Sequence, residues 1–330
     1  MNAVPKVMAH PQFVDTNKLG GPRFLITVDT EEEFDWDAPF SRSAHGTEHV
    51  VAISRFQQMC ESHRVKPAYL IDYPVANDPR AIELLGGYAH DGRADIGVQL
   101  HPWVNPPFDE IVNRDNSYAC NLEPALERQK LSVLHETITE NFRIKPDIYR
   151  AGRYGAGDAT ADILRELGIC IDTSVRSHFD YSSQGGPDYF DYPLSPYWIQ
   201  RSELMELPIT TVFRGILRKM GVSVFRDMLS SKTSRSIMAR TGMLERIALT
   251  PEGIPLTKAI EGIDCALQDG VPILNFSFHS PSLQPGHTNY VRNEADLEIF
   301  YQWWNGIFAH LDKNGVAPIS VREIKEAFFG

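Results

Sequence analysis

The sequence lacks the features that would place it in several specialised classes. Its 330 residues include only four cysteines, Cys60, Cys120, Cys170 and Cys265, and no two of them form a CxxC pair. This spacing excludes a disulfide framework and gives no sign of a zinc-thiolate site. We therefore expect reduced thiols that are mostly buried as small hydrophobic side chains.

Long hydrophobic runs and basic clusters are also absent. No stretch of about eighteen apolar residues occurs, and residues 1–20 contain no apolar secretory core, so we expect a cytoplasmic protein without a membrane partner. Its 43 acidic residues outnumber 32 basic ones, and no block is rich in lysine or arginine. Nucleic acid is therefore not expected as a partner, because phosphate binding needs clustered basic residues. The sequence leaves open whether the chain forms a homo-oligomer.

Strand-like and helix-like patterns alternate along much of the chain. Apolar runs at 24–28, 67–71 and 94–100 are separated by segments such as 47–63, in which apolar residues recur every three or four positions. Repeated units of this length predict an α/β fold with a parallel sheet, either closed as a barrel or open. The hydrophobic content of 42% is enough for one large domain or two smaller ones.

The alternation is interrupted between residues 176 and 268. The first part of this segment is rich in tyrosine, proline, serine and glycine, and the second part is mainly helical in pattern. We interpret it as an insertion that forms either a wall of the substrate site or a packing extension. Residues 1–20 are expected to be a flexible leader, and residues 21–330 a single domain that contains the insertion.

Polar side chains follow five of the predicted strands at the point where each strand ends. They are Asp29, His101, Arg150, Asp172 and His279. The carboxyl ends of parallel strands meet at one edge of a sheet, where ligands and chemistry are usually found. Taken alone, Asp29 could equally belong to a solvated acidic loop, and a single histidine at a strand end is more often structural. Together, the five supply a base, an acid, a metal ligand and a cation that tunes the base.

The order and content of these segments resemble the polysaccharide deacetylase family, the NodB-like carbohydrate esterases that remove N-acetyl groups from sugars. The matching segments are Thr27-Val28-Asp29-Thr30, His101 to Asn105, Arg150 to Tyr154, Asp172-Thr173-Ser174 and His279. The surrounding strings, such as VDTEEEFDW and LHPWVNPP, resemble a bacterial subgroup described as WalW-type proteins. The resemblance spans residues 24–175 and 270–325. It implies a distorted barrel of seven or eight β/α units, here with an inserted subdomain.

The resemblance also implies a role for each matching residue. Asp29 corresponds to the base that takes a proton from a metal-bound water as the water attacks the amide carbon. His279 corresponds to the acid that protonates the leaving amine, and Arg150 to the arginine that keeps the base ionised. Asp172 would orient or neutralise one of these charged partners. The backbone amide near Tyr154 would stabilise the developing oxyanion.

The metal site departs from the family pattern at two positions. Family members bind a divalent metal through an aspartate directly after the base and through two histidines, but Thr30 and Asn105 stand at two of these three positions. Only His101 is retained. Glu31 would point to the same side as Asp29 if the extended backbone continues, so its longer side chain could replace the missing acid. Asn105 is a weaker candidate ligand.

Two further histidines and two tryptophans complete the predicted site. His45 and His49 are spaced i, i+4 near a helix start and could face a metal together, although an exposed surface pair is the commoner outcome. Trp36 and Trp103 could stack on a sugar ring. A divalent metal such as zinc is expected if these replacements act as ligands, and no cofactor if they do not.

The predicted function is hydrolysis of an amide. The chain would remove an N-acyl group, such as acetyl, from a sugar or nucleotide-sugar precursor of envelope polysaccharide. One alternative is an amidohydrolase that acts on a small non-sugar C–N substrate, and another is a catalytically degenerate protein that binds carbohydrate or regulates. Asp29, Arg150 and His279 together favour an enzyme, because a passive binder has little use for a base, its tuner and an acid. The two substituted ligand positions favour the degenerate alternative.

Overall fold

The computed structural model describes residues 11–220, 222–228 and 231–330, and strands and helices alternate along most of this part of the chain. The strands are β1 (Gln12–Phe13), β2 (Arg23–Thr30), β3 (Ala68–Ile71), β4 (Asp95–Leu100), β5 (Ile148–Ala151), β6 (Ile171–Asp172), β7 (Tyr197–Gln200), β8 (Leu204–Glu206), β9 (Thr211–Arg214), β10 (Glu245–Ala248), β11 (Ile273–His279) and β12 (Ala317–Pro318). The α-helices are α1 (Ile53–Ser62), α2 (Tyr73–Ala76), α3 (Pro79–His90), α4 (Pro124–Phe142), α5 (Asp158–Leu167), α6 (Val222–Met228), α7 (Lys232–Arg240), α8 (Leu256–Gln268), α9 (Glu294–Lys313) and α10 (Val321–Phe329).

One large sheet organises the fold. Its hydrogen-bonded order is β1-β7-β8-β6-β5-β4-β3-β2-β11, and β12 lies beside β2. All neighbours from β8 to β11 pair in parallel, whereas β1 and β7 add an antiparallel edge. The predicted α/β class with a parallel sheet is therefore confirmed.

The two ends of the strand ladder do not pair with each other in the described residues, so the predicted closed barrel is not established. Other backbone groups reach β11 instead. The amide of Thr210 donates to the carbonyl of Asn275 at 3.1 Å, and the amide of Ser277 donates to the carbonyl of Leu249 at 3.2 Å. These bonds bring the segments after β8 and β10 against β11, and the sheet curves far enough for β5 side chains to contact β2.

The side-chain pattern of β2 explains where polar groups collect. One face of β2 carries Phe24, Ile26 and Val28, which are buried in the main apolar core. The opposite face carries Leu25, in a second apolar cluster that includes residues of α10, and then Thr27 and Asp29. The inside of the curved sheet is therefore apolar near the start of the strand and polar near its carboxyl end.

The chain before β2 differs from the predicted flexible leader. Residues 1–10 lie outside the described residues, but β1 pairs with β7, and Val14 and Leu19 are buried in the cluster that contains Leu25. A few well-placed apolar side chains are enough to hold this polar segment on the sheet. The expectation of a flexible leader therefore fails for residues 11–20.

The segment marked by sequence as an insertion is only partly separate from the sheet. Strands β7 and β8 belong to the large sheet, whereas β9 and β10 form a two-stranded sheet of their own. An additional small cluster of Phe190, Phe213, Phe225 and Leu244 packs in this region. None of the helices in the described ranges is long and apolar enough to cross a membrane.

Candidate active site

A cavity of about 310 Å³ lies at the carboxyl edge of the parallel strands. Seven of the residues singled out from sequence line it: Asp29, Glu31, Trp36, His101, Arg150, Tyr154 and His279. They come from the ends of β2, β4, β5 and β11 and the loops that follow. The structure therefore brings together four of the five predicted strand ends, because parallel neighbours with short offsets deliver their carboxyl ends to one edge.

The side chain of Arg150 crosses the inside of the sheet and contacts β2 and β11. It is 1% exposed, and its Nη1 donates to Asp29 Oδ1 and, at 2.9 Å, to Ser277 Oγ. Its Nη2 donates to Thr27 Oγ1 at 2.7 Å, and its Nε donates to the carbonyl of Thr173 at 3.1 Å. A buried guanidinium with this many partners is well satisfied and rigidly placed. The ion pair thus fixes the Asp29 carboxylate and leaves its Oδ2 toward His279.

A second charged pair stands opposite Asp29. The carboxylate of Glu252 lies 2.7 Å from His279 Nδ1, and it also accepts from the His279 amide at 3.1 Å and from Ser282 Oγ at 2.6 Å. The other ring nitrogen, Nε2, lies 3.8 Å from Asp29 Oδ2. Because Glu252 occupies Nδ1, the nitrogen that can exchange a proton with a ligand is Nε2.

The electrostatic surroundings favour a protonated His279. Burial on its own lowers the pKa of His279, but the carboxylates of Glu252, Glu31 and Asp29 outweigh it and raise the pKa to about 10. Burial on its own raises the pKa of the Glu252 carboxyl group, but the positive charge and hydrogen bonds of His279 outweigh it and hold that pKa below its ordinary value. The two residues therefore form an imidazolium-carboxylate pair at neutral pH.

His101 is held from behind by a buried carboxylate. Its Nδ1 lies 2.7 Å from Glu32 Oε2, and its Nε2 lies 3.4 Å from Glu31 Oε2 on the side of the cavity. The indole of Trp103 donates to Glu32 Oε1 at 2.9 Å and stacks on the imidazole with ring centres 4.4 Å apart. Trp103 is 1% exposed. The predicted role of Trp103 in stacking on a sugar is therefore wrong, because its ring is buried as a support for His101.

Three carboxyl groups lie close to His101. Burial raises the pKa of Glu31 to about 7, against the opposing effects of His279 and His101. Burial also raises the pKa of Glu32 to about 8 and that of Asp72 well above its usual range. The carboxyl groups of Glu32 and Asp72 have oxygens within 4.8 Å of each other, and the Glu32 backbone amide donates to Asp72 Oδ2 at 2.6 Å. We interpret the Glu32–Asp72 pair as one that shares protons.

Two sets of atoms of the kind that bind metals meet at His101. The carboxylates of Glu32 and Asp72 and a nitrogen of His101 all lie within 4.8 Å of one another, but His101 Nδ1 already lies 2.7 Å from Glu32 Oε2, and Asp72 Oδ2 already accepts from the Glu32 backbone amide. The second set is Glu31 Oε2 and His101 Nε2, 3.4 Å apart at the cavity. Two ligands about 2.0–2.1 Å from one tetrahedral ion are roughly 3.3 Å apart. The second set therefore fits two ligands of a divalent cation, with Glu32 as the outer carboxylate that orients the imidazole.

Other predicted ligands lie away from this set. Asn105 donates to a carbonyl of α4 at 2.9 Å and does not line the cavity. His45 is exposed in an irregular segment, and His49 is buried with Nδ1 3.1 Å from Glu33 Oε1 and Nε2 2.7 Å from Ser280 Oγ. The proposed i, i+4 pair of histidines is therefore not formed, because the helical turn begins only at residue 48.

Asp172 does not take the role that the resemblance implied. It accepts hydrogen bonds from the amide and hydroxyl of Ser174 and makes no ion pair with Arg150 or His279 in the described chain. It lines a different cavity of about 240 Å³, beside Glu206. Glu252 instead occupies the position next to the histidine.

Tyr154 and Trp36 do lie at the main cavity. The backbone of Tyr154 has a φ of 62°, and that of the preceding Arg153 has a φ of 53°. Two consecutive left-handed residues turn the chain sharply after β5. Whether the Tyr154 amide stabilises an oxyanion stays a prediction. The ring of Trp36 is 46% exposed at the rim, where a ligand could reach it.

Sequence reasoning missed Glu252 and two arginines of the cavity wall, Arg153 and Arg176. The sequence carries a weak signal for Glu252, which follows β10 as other site residues follow their strands. The helical pattern assigned to residues 216–268 concealed that strand. Arg153 lies inside the motif that follows β5, two residues beyond the strand, and Arg176 lies four residues beyond β6; no periodic pattern describes either segment.

Comparisons with known proteins give similarity in structure only. No family model matches the sequence, and no curated protein matches it. A candidate polysaccharide deacetylase from Mycobacterium smegmatis is 16% identical, with a TM-score of 0.47 over 97% of this chain and 98% of that one. A peptidoglycan deacetylase of Bacillus subtilis is 11% identical, with a TM-score of 0.41 over 95% and 93%.

A GH57 branching enzyme from the archaeon Thermococcus kodakaraensis is also 11% identical, with a TM-score of 0.51 over 94% of this chain and 72% of that one. At such identities a structural likeness shows the fold and not the chemistry. The chain is therefore similar in fold to this carbohydrate-active enzyme, and its activity has to be argued from its own side chains.

Proposed function

We propose that the chain is a hydrolase of amide bonds that removes an N-acyl group, such as acetyl, from a sugar. The observation that carries this proposal is the arrangement of Asp29 and His279, 3.8 Å apart at one cavity and each paired with a buried partner of opposite charge. A fixed carboxylate beside a protonated imidazole suits a reaction that needs a base and an acid in succession.

The two residues would act on opposite sides of the scissile bond. Asp29 Oδ2 takes a proton from water as the water oxygen bonds to the acyl carbon. His279 Nε2 then donates its proton to the amide nitrogen as the C–N bond breaks, which yields a carboxylic acid and a free amine. Protonation of the amide nitrogen matters because a neutral amine is a good leaving group, whereas the deprotonated amine anion is a poor one. With a pKa of about 10, His279 enters the reaction already protonated.

Glu31 and His101 are the residues that would hold a divalent cation in this cavity, with Glu32 behind His101. Such a cation, when bound, supplies Lewis-acid polarisation of the acyl oxygen and acidifies water. Glu31 and His101 together also restrict the cavity on the side facing Asp29. The donor set of carboxylate oxygen and imidazole nitrogen suits zinc or a similar divalent ion.

We propose an acylated sugar or nucleotide-sugar precursor of envelope polysaccharide as the substrate, in line with the resemblance of the motifs to WalW-type deacetylases. Support comes from the aromatic rings at the cavity, which include Trp36, Tyr154 and Tyr181. The rings of Tyr154 and Tyr181 stack on each other with centres 5.6 Å apart, whereas the ring of Trp36 is 46% exposed. An exposed aromatic face at a cavity suits the apolar face of a pyranose.

The proposal is tested by measuring release of acetate and free amine from a panel of N-acetylated sugars. Asp29→Asn and His279→Ala should each lower the rate by about 100-fold or more, as expected for loss of a general base or acid. His310→Ala is the matched control, because His310 Nε2 lies 2.7 Å from Asp264 in a similar pair outside the cavity. Full activity in Asp29→Asn would refute the assigned roles.

A further inference from the structure

Arg176 carries a guanidinium at the cavity wall that forms no ion pair with an acid in the part of the chain that the structure describes. It lines the main cavity and an adjoining cavity of about 60 Å³ that also touches His279. Within the described chain its one hydrogen bond joins Nη1 to the hydroxyl of Tyr181 at 3.3 Å, and its Nε is buried without a partner. The guanidinium also lies 4.0 Å from the ring centre of Phe179. An arginine that is partly desolvated with so few partners retains unused donors aimed at the cavity region.

Arginines in neighbouring parts of the fold are paired with acids. Arg214 lies 2.8 Å from Glu245, Arg218 lies 2.8 Å from Asp269, and Arg226 lies 2.7 Å from Asp188. All three are partly buried, as Arg176 is. The three pairs show that acids are available for half-buried arginines, but no acid of the described residues lies within 4.0 Å of the Arg176 guanidinium. The unpaired state is a local property of the cavity wall.

Two further guanidiniums in the same region form no ion pair with an acidic side chain of the described residues. Arg153 lines the main cavity, and its hydrogen bonds go to neutral groups: Ser117 Oγ, the carbonyl of Arg114 at 3.3 Å, and Gln184 Oε1 at 3.3 Å. Arg246 lies 3.6 Å from the ring centre of Phe179 and donates to the carbonyl of His178. Neither forms an ion pair with the described residues. Phe179 thus contacts two guanidiniums, a costly arrangement unless an anion lies near them.

The cavity therefore carries charged groups of both signs. Asp29, Glu31 and Glu32 line it, and so do Arg153 and Arg176, which form no ion pair with the described residues. The formal net charge of the chain is −11, so the arginines form a local exception to a surface that repels anions. A ligand that complements these groups presents an uncharged amide to the carboxylates and a negative charge to Arg153 and Arg176.

We infer that the substrate carries an anionic group, phosphoryl or carboxylate, that binds to Arg176 with Arg153 as a second contact. The inference rests on the proposed function for the reaction at Asp29 and His279. Arginine offers paired N–H donors that match both kinds of oxyanion. The volume of about 310 Å³ is near the lower end of small-molecule sites, about 300–1,000 Å³, so the substrate has the size of one substituted sugar.

The inference is tested by equilibrium binding, which does not depend on turnover. The probes are N-acetylglucosamine, its 1-phosphate and 6-phosphate, and N-acetylmuramic acid as the carboxylate probe, all measured on Asp29→Asn protein. Binding of inorganic phosphate is measured on wild-type protein. We expect at least one anionic probe to bind about tenfold or more tightly than the neutral sugar, with the preference falling as salt is raised. Comparison of the phosphate and carboxylate probes identifies which anion Arg176 and Arg153 bind more tightly.

Variants of two arginines locate the effect. Arg176→Gln should abolish the preference for the anionic probe and leave binding of the neutral sugar within about twofold, because it removes the charge that selects the anion. Arg226→Gln is the matched control, since Arg226 lies in the same part of the chain and is paired with Asp188. Arg176→Lys, which keeps the charge, should retain part of the preference and serves if Arg176→Gln does not fold.

Two results would overturn the inference. One is equal affinity of the Asp29→Asn protein for the neutral and the anionic sugar probes, and the other is equal loss of preference in Arg176→Gln and Arg226→Gln. Efficient release of acetate from neutral sugars alone would keep the proposed function and reject an anionic substrate. Selective anion binding without hydrolysis of any probe would support anion binding by Arg176 and Arg153 and reject the proposed function.

Discussion

Replacing Glu252 by glutamine removes one negative charge from behind His279 and preserves the size of the side chain. In the wild-type structure the carboxylate is 2.7 Å from His279 Nδ1 and also binds the His279 amide. A hydrogen bond to a charged group contributes about 1.5–3 kcal/mol, and 1.36 kcal/mol corresponds to a pKa change of about one. The variant should therefore lower the pKa of His279 from about 10 to about 8–9.

The direction of the pH effect follows from the role of His279 as an acid. Activity that needs protonated His279 is present below its pKa and is lost as pH rises through it. The wild-type rate should therefore fall near pH 10, and the Glu252→Gln rate about one to two pH units earlier. The contribution of His279 to the free energy of unfolding depends on pH in the same direction. Its pKa in the folded protein is raised above the ordinary histidine value of 6.5, so this stabilisation is complete below pH 6.5 and disappears as pH rises toward 10.

The assay is the pH profile of kcat for acetate release between pH 6 and 10.5, together with an NMR titration of the imidazole. Asp264→Asn is the matched control, because Asp264 pairs with His310 at 2.7 Å outside the cavity and should leave the profile unchanged. An alkaline limb at the same pH in Glu252→Gln and wild-type protein would refute the reasoning. It would mean that Glu252 positions His279 without affecting its protonation, or that His279 is not the acid.

Two other predictions concern the ligands at His101. Protein purified without chelator should contain a divalent metal by elemental analysis, and the Glu31→Gln and His101→Ala variants should lose it. Glu32→Gln should lower the affinity for the metal by about 10- to 100-fold. Retention of the metal in Glu31→Gln together with its loss in Asp72→Asn would assign the metal to the Glu32, Asp72 and His101 set instead. Gly152→Ala places a methyl against the imidazole of His101 and the carbonyl of Leu100. It should lower the free energy of unfolding by about 1–3 kcal/mol and reduce metal content. Gly87→Ala, with nothing within 4 Å of the new methyl, should not destabilise the chain, and equal melting temperatures of the two variants would contradict the prediction.

The sequence was informative where local patterns determine position. Asp29, His101, Arg150 and His279 each follow an apolar strand, and parallel pairing places the carboxyl ends of neighbouring strands at one edge. The same rule selected Asp172 wrongly. Asp172 pairs in register with Glu206 on β8, and its carboxyl group faces a different cavity. A strand end specifies an edge of the sheet but not which cavity a side chain enters.

Glu252 and Trp103 show what the sequence could not specify. Glu252 reaches His279 because the preceding backbone at Leu249 bonds to β11, a contact between segments nearly thirty residues apart that leaves no local signature. Trp103 lies two residues after His101, where a ring could equally face a ligand or the interior. Its indole N–H finds a carboxylate at Glu32, and that pairing decides for the interior.

The balance of buried charge bears on whether the cavity holds a cation despite its lost ligand positions. Asp29 is balanced by Arg150 and Glu252 by His279, which leaves Glu31, Glu32 and Asp72 around a single imidazole. Buried carboxylates in excess must be neutralised by protons or by a cation, since uncompensated charge is expensive in a protein interior. Protons suffice for the adjacent Glu32 and Asp72, because burial raises the pKa of both carboxyl groups. Glu32 also lines the cavity but holds His101 Nδ1, so Glu31, 3.4 Å from His101 Nε2, is the acid of this set placed to share a cation with that nitrogen. Thr30 stands where the deacetylase pattern that the motifs resemble has an aspartate, but the next residue, Glu31, supplies a carboxylate at the cavity, and its position is what would let this cavity bind a divalent ion.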